Sequence, residues 1–334
     1  MGNVLVVGSG VAGMQASIDL ADSGHKVFLI EREEELGGNL RNLSETSPNG
    51  QKASDMLSSY LGKIERSKNI TVMKKAEFVD FRGSFPKFLV TVKTPKEKRD
   101  LTVNAVVLAT GFQPYNPSVL KQYGYGRLKD VVTTVELETM LREGRFQKPS
   151  NQKKPNSVVF VQCVGSRDRN FNAYCSDFCC NNAVKLARII KRNHPDVAVS
   201  VFYMDMRTPY EGEIEFRNTR QLGVLFPRGK PAKIREAEDG ALTIRVEDTL
   251  ENDLIFVKAD LAVLSVGGVP NPTVKTLSQA MKLSLLDSGF FAVDETMVGT
   301  SVKGIFAVGA ASGPKDTAYS IAQGSCAAAK VNSI

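Results

Sequence analysis

The chain has no tryptophan, two histidines and no long uninterrupted apolar run. The missing tryptophan matters because aromatics interleaved with basic residues are what nucleic-acid surfaces use, and no such segment exists here. The net charge of +7 therefore reads as a diffuse surface property. Its main basic run, Lys148 to Lys154 in QKPSNQKKPNS, is rich in proline, asparagine and serine and is read as a solvated linker. No stretch reaches membrane-spanning length, and the start lacks a basic segment ahead of an apolar one, so a cytoplasmic protein is expected, with no membrane and no nucleic-acid partner. His25 and His194 each sit just before a strand and are read as surface turn residues. Also missing is any CxxC pair, which counts against a dithiol redox centre.

What remains is an ordinary globular composition, with 42% hydrophobic and 24% charged residues over 334 positions, enough for about two domains. NVLVV reads as a strand buried on both faces, followed by GSGVAG, a helical MQASIDLADSG and a second strand, KVFLIE. Gly8, Gly10 and Gly13 thus stand between strand and helix, with Glu31 about twenty residues on. The first glycine permits the turn, the second lets backbone approach a pyrophosphate, and the third lets helix pack on strand. Val11 and Ala12 would open the helix whose N-terminus faces the phosphates, and Glu31 would accept the adenosine ribose hydroxyls. FAD is favoured over NAD by two further segments. Gly38 follows Glu31 closely, and VKGIFAVGAASG in the tail precedes an Ala-rich helix, a place suited to the flavin and its ribityl chain.

A second pass of the same plan follows. NSVVFVQC is a buried strand, CCNNAVKLARIIKR an amphipathic helix, and VAVSVFYMD another strand. AKIREAEDGALTIRVED is a hairpin turning at Asp239 and Gly240. ADLAVLSVGGVP closes this half as AVVLATGFQP closed the first. The expected fold is α/β: two Rossmann-like doubly wound domains, the second inserted into the first, each with a β-meander. The expected boundaries are 1–115 with 285–334 for an FAD-binding domain, 116–155 for a crossover linker, and 156–284 for the second domain.

The second domain lacks the glycine loop that would cradle NAD(P)H. Gly165 is the single glycine between Cys163 and Cys180, and Cys163, Cys175, Cys179 and Cys180 occupy that loop instead. Four thiolates suit a tetrahedral zinc or an iron–sulfur cluster; a redox dithiol and inert thiols are the alternatives, and the cluster is favoured. Cys326, on a small-residue face of the last helix, is read as packing.

The segment Ala109 to Gly111 and the tail resemble those of the thioredoxin reductase and glutathione reductase superfamily. That resemblance covers nearly the whole chain and implies a thioredoxin-reductase-like architecture. It implies FAD contacts at Gly8, Gly10, Val11, Ala12, Gly13, Glu31, Arg32, Gly38, Asn39, Phe78, Val79, Ala109, Thr110, Gly111, Gly309, Ala310, Lys315, Asp316 and Thr317. Ala310 is a departure, because that superfamily usually has aspartate there. More specifically, QCVGSRD, YCSDFCC, YGYG with VVTTVELETML, MDMRT and GPKD together resemble the A subunit of heterodisulfide reductase. This resemblance implies a [4Fe-4S] cluster held by Cys163, Cys175, Cys179 and Cys180. It also implies a homodimer, iron–sulfur partner subunits of B and C type, and an electron-transfer role in sulfur or disulfide metabolism. Ferredoxin-like CxxCxxCxxxCP modules are missing, and NLRNLSETSPNGQK after Gly38 has no cysteine. The chain is therefore similar to the short form found in sulfur-oxidising systems. Lys315, in GPKDTAYS, is expected near the flavin ring, and Asp316 or Thr317 is expected to cap the helix after it. Arg207, in MDMRT, follows a strand and is a candidate contact for a partner or substrate. An NAD(P)H-dependent disulfide reductase acting alone is the competing reading.

Overall fold

The computed structural model describes every residue except Asn49 and divides into two compact units. The first comprises 1–41, 53–113 and 269–334, and the second 42–52 and 114–268.

The first unit is built on a five-stranded parallel sheet. Its strands are β1 (Asn3–Val7), β2 (Lys26–Ile30), β3 (Ile70–Met73), β7 (Ala105–Leu108) and β17 (Ile305–Ala307), in the order β17-β7-β1-β2-β3. The apolar runs foreseen as doubly buried strands are among those strands, because helices and the antiparallel meander cover the sheet and leave no polar face. Helices α1 (Val11–Asp22), α2 (Ala53–Arg66), α6 (Thr273–Met281) and α7 (Thr317–Asn332) belong to this unit, as does the antiparallel meander β4 (Glu77–Ser84), β5 (Lys87–Lys93) and β6 (Lys98–Val103). One core joins sheet and meander through Leu5, Ile30, Phe88, Val90, Leu108 and Ile305. Helix α7 lies against α1 so closely that a Cβ on Gly324 would sit 2.5 Å from the Ala12 carbonyl oxygen.

The chain crosses to the second unit through β8 (Phe112–Pro114) and returns through β16 (Gly268–Pro270). This unit has a four-stranded parallel sheet, β11-β10-β15-β9, from β9 (Val131–Thr133), β10 (Ser157–Val164), β11 (Ala198–Phe202) and β15 (Leu261–Val266). Its meander is β12 (Lys233–Glu236), β13 (Leu242–Asp248) and β14 (Asp253–Ala259), with the turn at Asp239 and Gly240 as expected. Helices α3 (Thr134–Arg142), α4 (Cys179–Asn193) and α5 (Glu211–Gln221) complete it.

The structure corrects three expected boundaries. Residues 116–155 are not a linker: β9 pairs in register with β15, Val131 to Ala262 and Thr133 to Leu264, and α3 begins on a capping box of Thr133 and Glu136. The basic run inside it is anchored, since Asp130 accepts from the Ser150 backbone and hydroxyl at 2.9 and 2.6 Å, and Lys154 pairs with Asp196. Residues 269–284 belong to the first unit, where Val274, Leu277 and Met281 of α6 enter the core. Residues 42–52 leave the first unit and form a strap on the second.

The strap is held by charge. Lys185, on α4 and 1% exposed, donates to Glu138 Oε2 at 2.8 Å and to the Glu45 carbonyl at 3.1 Å. Glu138 Oε1 accepts from the Ser44 backbone N–H and hydroxyl at 2.7 and 2.6 Å. The Glu45 carboxylate accepts from Arg188 and Arg192, and Arg188 also donates to Glu215 at 2.8 Å. A carboxylate and an ammonium this buried persist because each finds several partners.

Candidate functional site

In the first unit the turn from β1 to α1 takes only residues 8–10. Its glycines answer to crowding. A Cβ on Gly13 would lie 2.0 Å from the Gly8 carbonyl oxygen, and one on Gly8, at φ +100°, 2.4 Å from the Ala109 carbonyl oxygen. Gly10 is different: nothing lies within 4 Å of its Cβ position, so its outer face is open. It is also the N-cap of α1, and no side chain caps that helix. The first-turn N–H groups have no partner within their own helix and face the open side with the positive end of the helix dipole. That is an anion cradle.

Glu31 is buried at the end of β2. Its Oε2 accepts from the Ser9 N–H at 2.9 Å and the Ser9 hydroxyl at 2.5 Å, and its Oε1 accepts from the Glu33 N–H at 3.0 Å. A carboxylate accepts about four bonds, so one position stays available for a hydroxyl. Gly38 packs on this turn, its Cβ position 3.0 Å from the Gly10 Cα, with Asn39 exposed beside it. Arg32 is exposed and pairs with Glu33. In the meander the register of β4 with β5 steps from Phe78 to Asp80. Val79 therefore bulges out of the ladder and is exposed, while Phe78 packs on the core.

Beside the glycine turn, its Cα 3.4 Å from the Gly8 Cβ position, Thr110 has a buried hydroxyl with no partner among the described residues, and Gly111 next to it has open space at its Cβ position. In the tail, Gly309 donates its N–H to Gln323 Oε1 at 2.8 Å and Ala310 is buried. Asp316, not Thr317, caps α7, accepting from the Tyr319 N–H at 2.8 Å. The Lys315 ammonium donates to the Ser312 hydroxyl at 3.2 Å and the Gly313 carbonyl at 3.3 Å. An uncapped helix end, an open glycine face and an orphan buried hydroxyl together fit a bound dinucleotide.

The corresponding turn of the second unit is built otherwise. Between β10 and α4 runs the long loop 165–178. Gly165, the first residue after β10 as Gly8 is after β1, is crowded by a side chain: a Cβ there would lie 2.2 Å from the ring of Tyr115. Cys163, the last residue but one of β10, is left-handed at φ +58°, Cys175 is half-buried in the loop, and Cys179 and Cys180 are the buried first residues of α4. The four thiols perturb one another. Burial pushes Cys179 well above its ordinary value and the other three thiols add to this. Burial, with Cys163 and Cys175 nearby, pushes Cys180 up to about 12. Burial also raises Cys163, against the opposing pull of Arg167 and Lys230, and raises Cys175. In this state the thiols hold their protons at neutral pH. Coordination to a cation is what reverses such a preference. Among the described residues no three or more histidine, cysteine or acidic side chains converge closely enough to form a finished metal site. The donor set fits a cluster; the sulfurs are near neighbours without standing in ligand geometry.

Around the thiols, reading the sequence singled out Arg207 but not Arg167, Asp205, Gln162 or Ser265. Arg167 and Arg207 both bond Asp205. Gln162 and Ser265, on adjacent strands, have buried side-chain atoms without partners among the described residues. The histidines have small structural roles: His25 bonds the Gly2 N–H and Asn332, and His194 stacks on Phe146 with ring centroids 4.9 Å apart. Cys326 is half-buried, 3.9 Å from the Thr296 carbonyl oxygen.

Comparison with known proteins agrees with this division. The family described as pyridine nucleotide-disulphide oxidoreductase matches residues 2–160 and 212–324. The gap, 161–211, contains all four clustered cysteines. The chain is 32% identical to the second iron-sulfur A subunit of the CoB–CoM heterodisulfide reductase of Methanopyrus kandleri, and 32% identical to the iron-sulfur A subunit of the same enzyme in Methanocaldococcus jannaschii. Each match covers 98% of this chain and 63% of the relative, so the chain spans under two thirds of their length. The aligned stretch runs to 416 positions against 334 residues, so these relatives also carry internal segments that this chain lacks. Thioredoxin reductases share the fold: that of Lactococcus lactis at TM-score 0.66 and 18% identity over 100% of this chain and 98% of its own, and that of T. acidophilum at 0.65 and 15% over 99% and 98%. Among the described residues no helix is long and apolar enough to cross a membrane.

Proposed function

Because the chain belongs to the pyridine nucleotide-disulphide oxidoreductase family, we propose that it is an electron-transfer subunit that binds FAD in its first unit and a [4Fe-4S] cluster in its second. The observation that carries this reading is a substitution of one site by another. The glycine cradle is present in the first unit, whereas in the second the Tyr115 ring crowds Gly165 and four cysteines stand in or beside the loop between β10 and α4. When bound, FAD exchanges one or two electrons and the cluster exchanges one.

The chain's own residues then have separable tasks. The N-terminus of α1 and Gly8, Gly10 and Gly13 receive the pyrophosphate. Glu31 receives the ribose, and Val79 offers backbone to the adenine. Thr110, Gly309, Ala310 and Lys315 stand toward the flavin, where the ammonium favours negative charge. Cys163, Cys175, Cys179 and Cys180 hold the iron. We assign cleavage or formation of a disulfide or sulfane bond to partner subunits of B and C type, since among the described residues beside these groups no acid–base pair for that chemistry stands out. The wider setting we propose is a cytoplasmic heterodisulfide-reductase-like complex, with this chain as a homodimer, in sulfur oxidation or disulfide reduction.

Iron, acid-labile sulfide and released flavin on anaerobically purified protein test this reading. About four iron and four sulfide per FAD are expected, and Cys179→Ala should lose iron while keeping flavin. FAD without iron, under conditions that protect clusters, refutes the cluster. NADH oxidation by the isolated chain with a small disulfide as acceptor would favour a self-contained reductase instead.

A further inference from the structure

The meander of the second unit turns one face to its core through Ile234, Leu242, Ile244 and Val246, with Ile255 and Val257 packed against the same cluster. The alternate residues form the outer face. On β12 and β13 these include Lys233, Arg235, Arg245 and Glu247, all exposed, as suits an antiparallel sheet with one wet face. On β14 they are Leu254, Phe256 and Lys258. Leu254 is 47% exposed and Phe256 63%. The polar alternation therefore fails on one strand, and that strand is an edge. The sheet runs β12-β13-β14, and among the described residues no further strand pairs with β14. Its seven residues contain no proline. Its register with β13 is unbroken from Leu242 opposite Ala259 to Asp248 opposite Asp253. Such an edge normally carries protection against pairing, in the form of a bulge, a proline or a charge at its centre. Here the charges, Asp253 and Lys258, stand toward the ends, and Lys258 leans back on Asp239 at 3.4 Å.

An edge strand that meets a copy of itself does so about a two-fold axis. With that axis perpendicular to the sheet, the two strands are antiparallel and keep their outer faces on one side, so opposed residues share the same parity. With the axis at Phe256, every residue from 253 to 259 finds a partner. Phe256 meets its own copy, Ile255 meets Val257, Asp253 meets Ala259, and Leu254 meets Lys258 of the second copy. This register sets no like charges against each other. Glu247 is the residue opposite Leu254 on β13. It stands two strands from Lys258 of the second copy, roughly 9–10 Å between Cα atoms. A lysine stem lying along Leu254 and a glutamate side chain close that span between them, and symmetry repeats the pair. The weak, exposed contact of Lys258 with Asp239 is no obstacle to the exchange.

We propose that β14 is the contact through which two copies of this chain associate, pairing antiparallel about Phe256 so that one sheet runs through both second units. Backbone hydrogen bonds along the edge supply affinity. The apolar centre of Leu254 and Phe256, flanked by two Glu247–Lys258 pairs, fixes the register. This inference rests on the homodimer reading above and gives it a place; it does not depend on flavin or iron.

The test is sedimentation equilibrium of the full-length chain, with flavin content and circular dichroism recorded for every variant as a check on folding. The wild type should dimerise. Phe256→Glu sets two carboxylates face to face where two rings would be buried, and should raise the dissociation constant on the order of a hundredfold. Lys258→Glu and Glu247→Lys should each weaken the dimer about tenfold. The double variant, and an equimolar mixture of the two single variants, should regain it, because opposite charges face each other again. Should Phe256→Glu lose its fold, the charge exchange decides alone. A dimer indifferent to Phe256→Glu overturns the proposal and leaves the homodimer standing on another surface. So does a double variant and a mixture no tighter than the single variants. A wild-type chain that stays monomeric at the highest concentration reached refutes the homodimer and this contact together.

Discussion

Lys185→Met removes the ammonium from the centre of the strap and leaves a side chain of similar length. Glu138 would then be a buried carboxylate, 2% exposed, left among the described residues with the two Ser44 donors, and the Glu45 carbonyl would lose its bond from Lys185. Breaking a buried pair from one side costs about 3–5 kcal/mol. For a unit of this size each kcal/mol lowers the melting temperature by about 2–4 °C, so the expected drop is roughly 6–20 °C. A chain of two units need not melt in one step. The assay is therefore thermal unfolding read together with amide hydrogen exchange along α4, which carries Lys185, Arg188 and Arg192. The double variant Lys185→Met with Glu138→Gln removes the uncompensated charge and should regain at least half the loss. A drop below about 3 °C for the single variant, or a double variant as unstable as the single, refutes the view that charge compensation holds the strap.

Other outcomes follow from the same geometry. Gly13→Ala places a methyl group 2.0 Å from the Gly8 carbonyl oxygen and should abolish flavin retention, measured by absorbance after gel filtration. Burial opposes ionisation of Glu45, but its bonds from Arg192 and Arg188 outweigh this and hold its carboxyl below the usual value of 4.5. A lowered folded value stabilises above the unfolded value and is lost as pH falls through the folded one. The strap should thus loosen below about pH 4.5, the ordinary carboxylate range. Glu45→Gln, less stable than wild type at pH 7, should lose that difference on acidification, as followed by proteolysis of 42–52. Asp316→Ala removes the α7 cap and should cost about 1 kcal/mol in urea unfolding.

The parts of this protein that the sequence announced are those set by short-range rules. NVLVV, GSGVAG and Glu31 lie within one supersecondary unit, and the strand–turn–helix order alone places them. The cysteine loop was legible because its residue types are rare and its position relative to β10 and α4 is local. The strap was not legible, since Glu45 meets Arg188 and Arg192 across well over a hundred residues and neither partner disturbs the pattern around it. Lys185 could have drawn notice as a lysine on the apolar face of α4. The misread 116–155 segment carried its own signal in Thr133 and Glu136, the spacing of a capping box, but β9 is only three residues long and reads as a strand only beside β15. Helix α6 was placed in the wrong unit because periodicity identifies a buried face without saying which core buries it.

The path of the chain has a consequence for anyone who would take the molecule apart. It passes between the units at 41/42, 52/53, 113/114 and 268/269. A fragment of 114–268 alone would keep its sheet and its cysteines but lack the peptide that satisfies Glu138 and Lys185. Such a fragment becomes a receptor for its own missing segment: residues 42–52, supplied as a free peptide, are its natural ligand, and their rescue of the fragment would turn an intramolecular clasp into a measurable affinity.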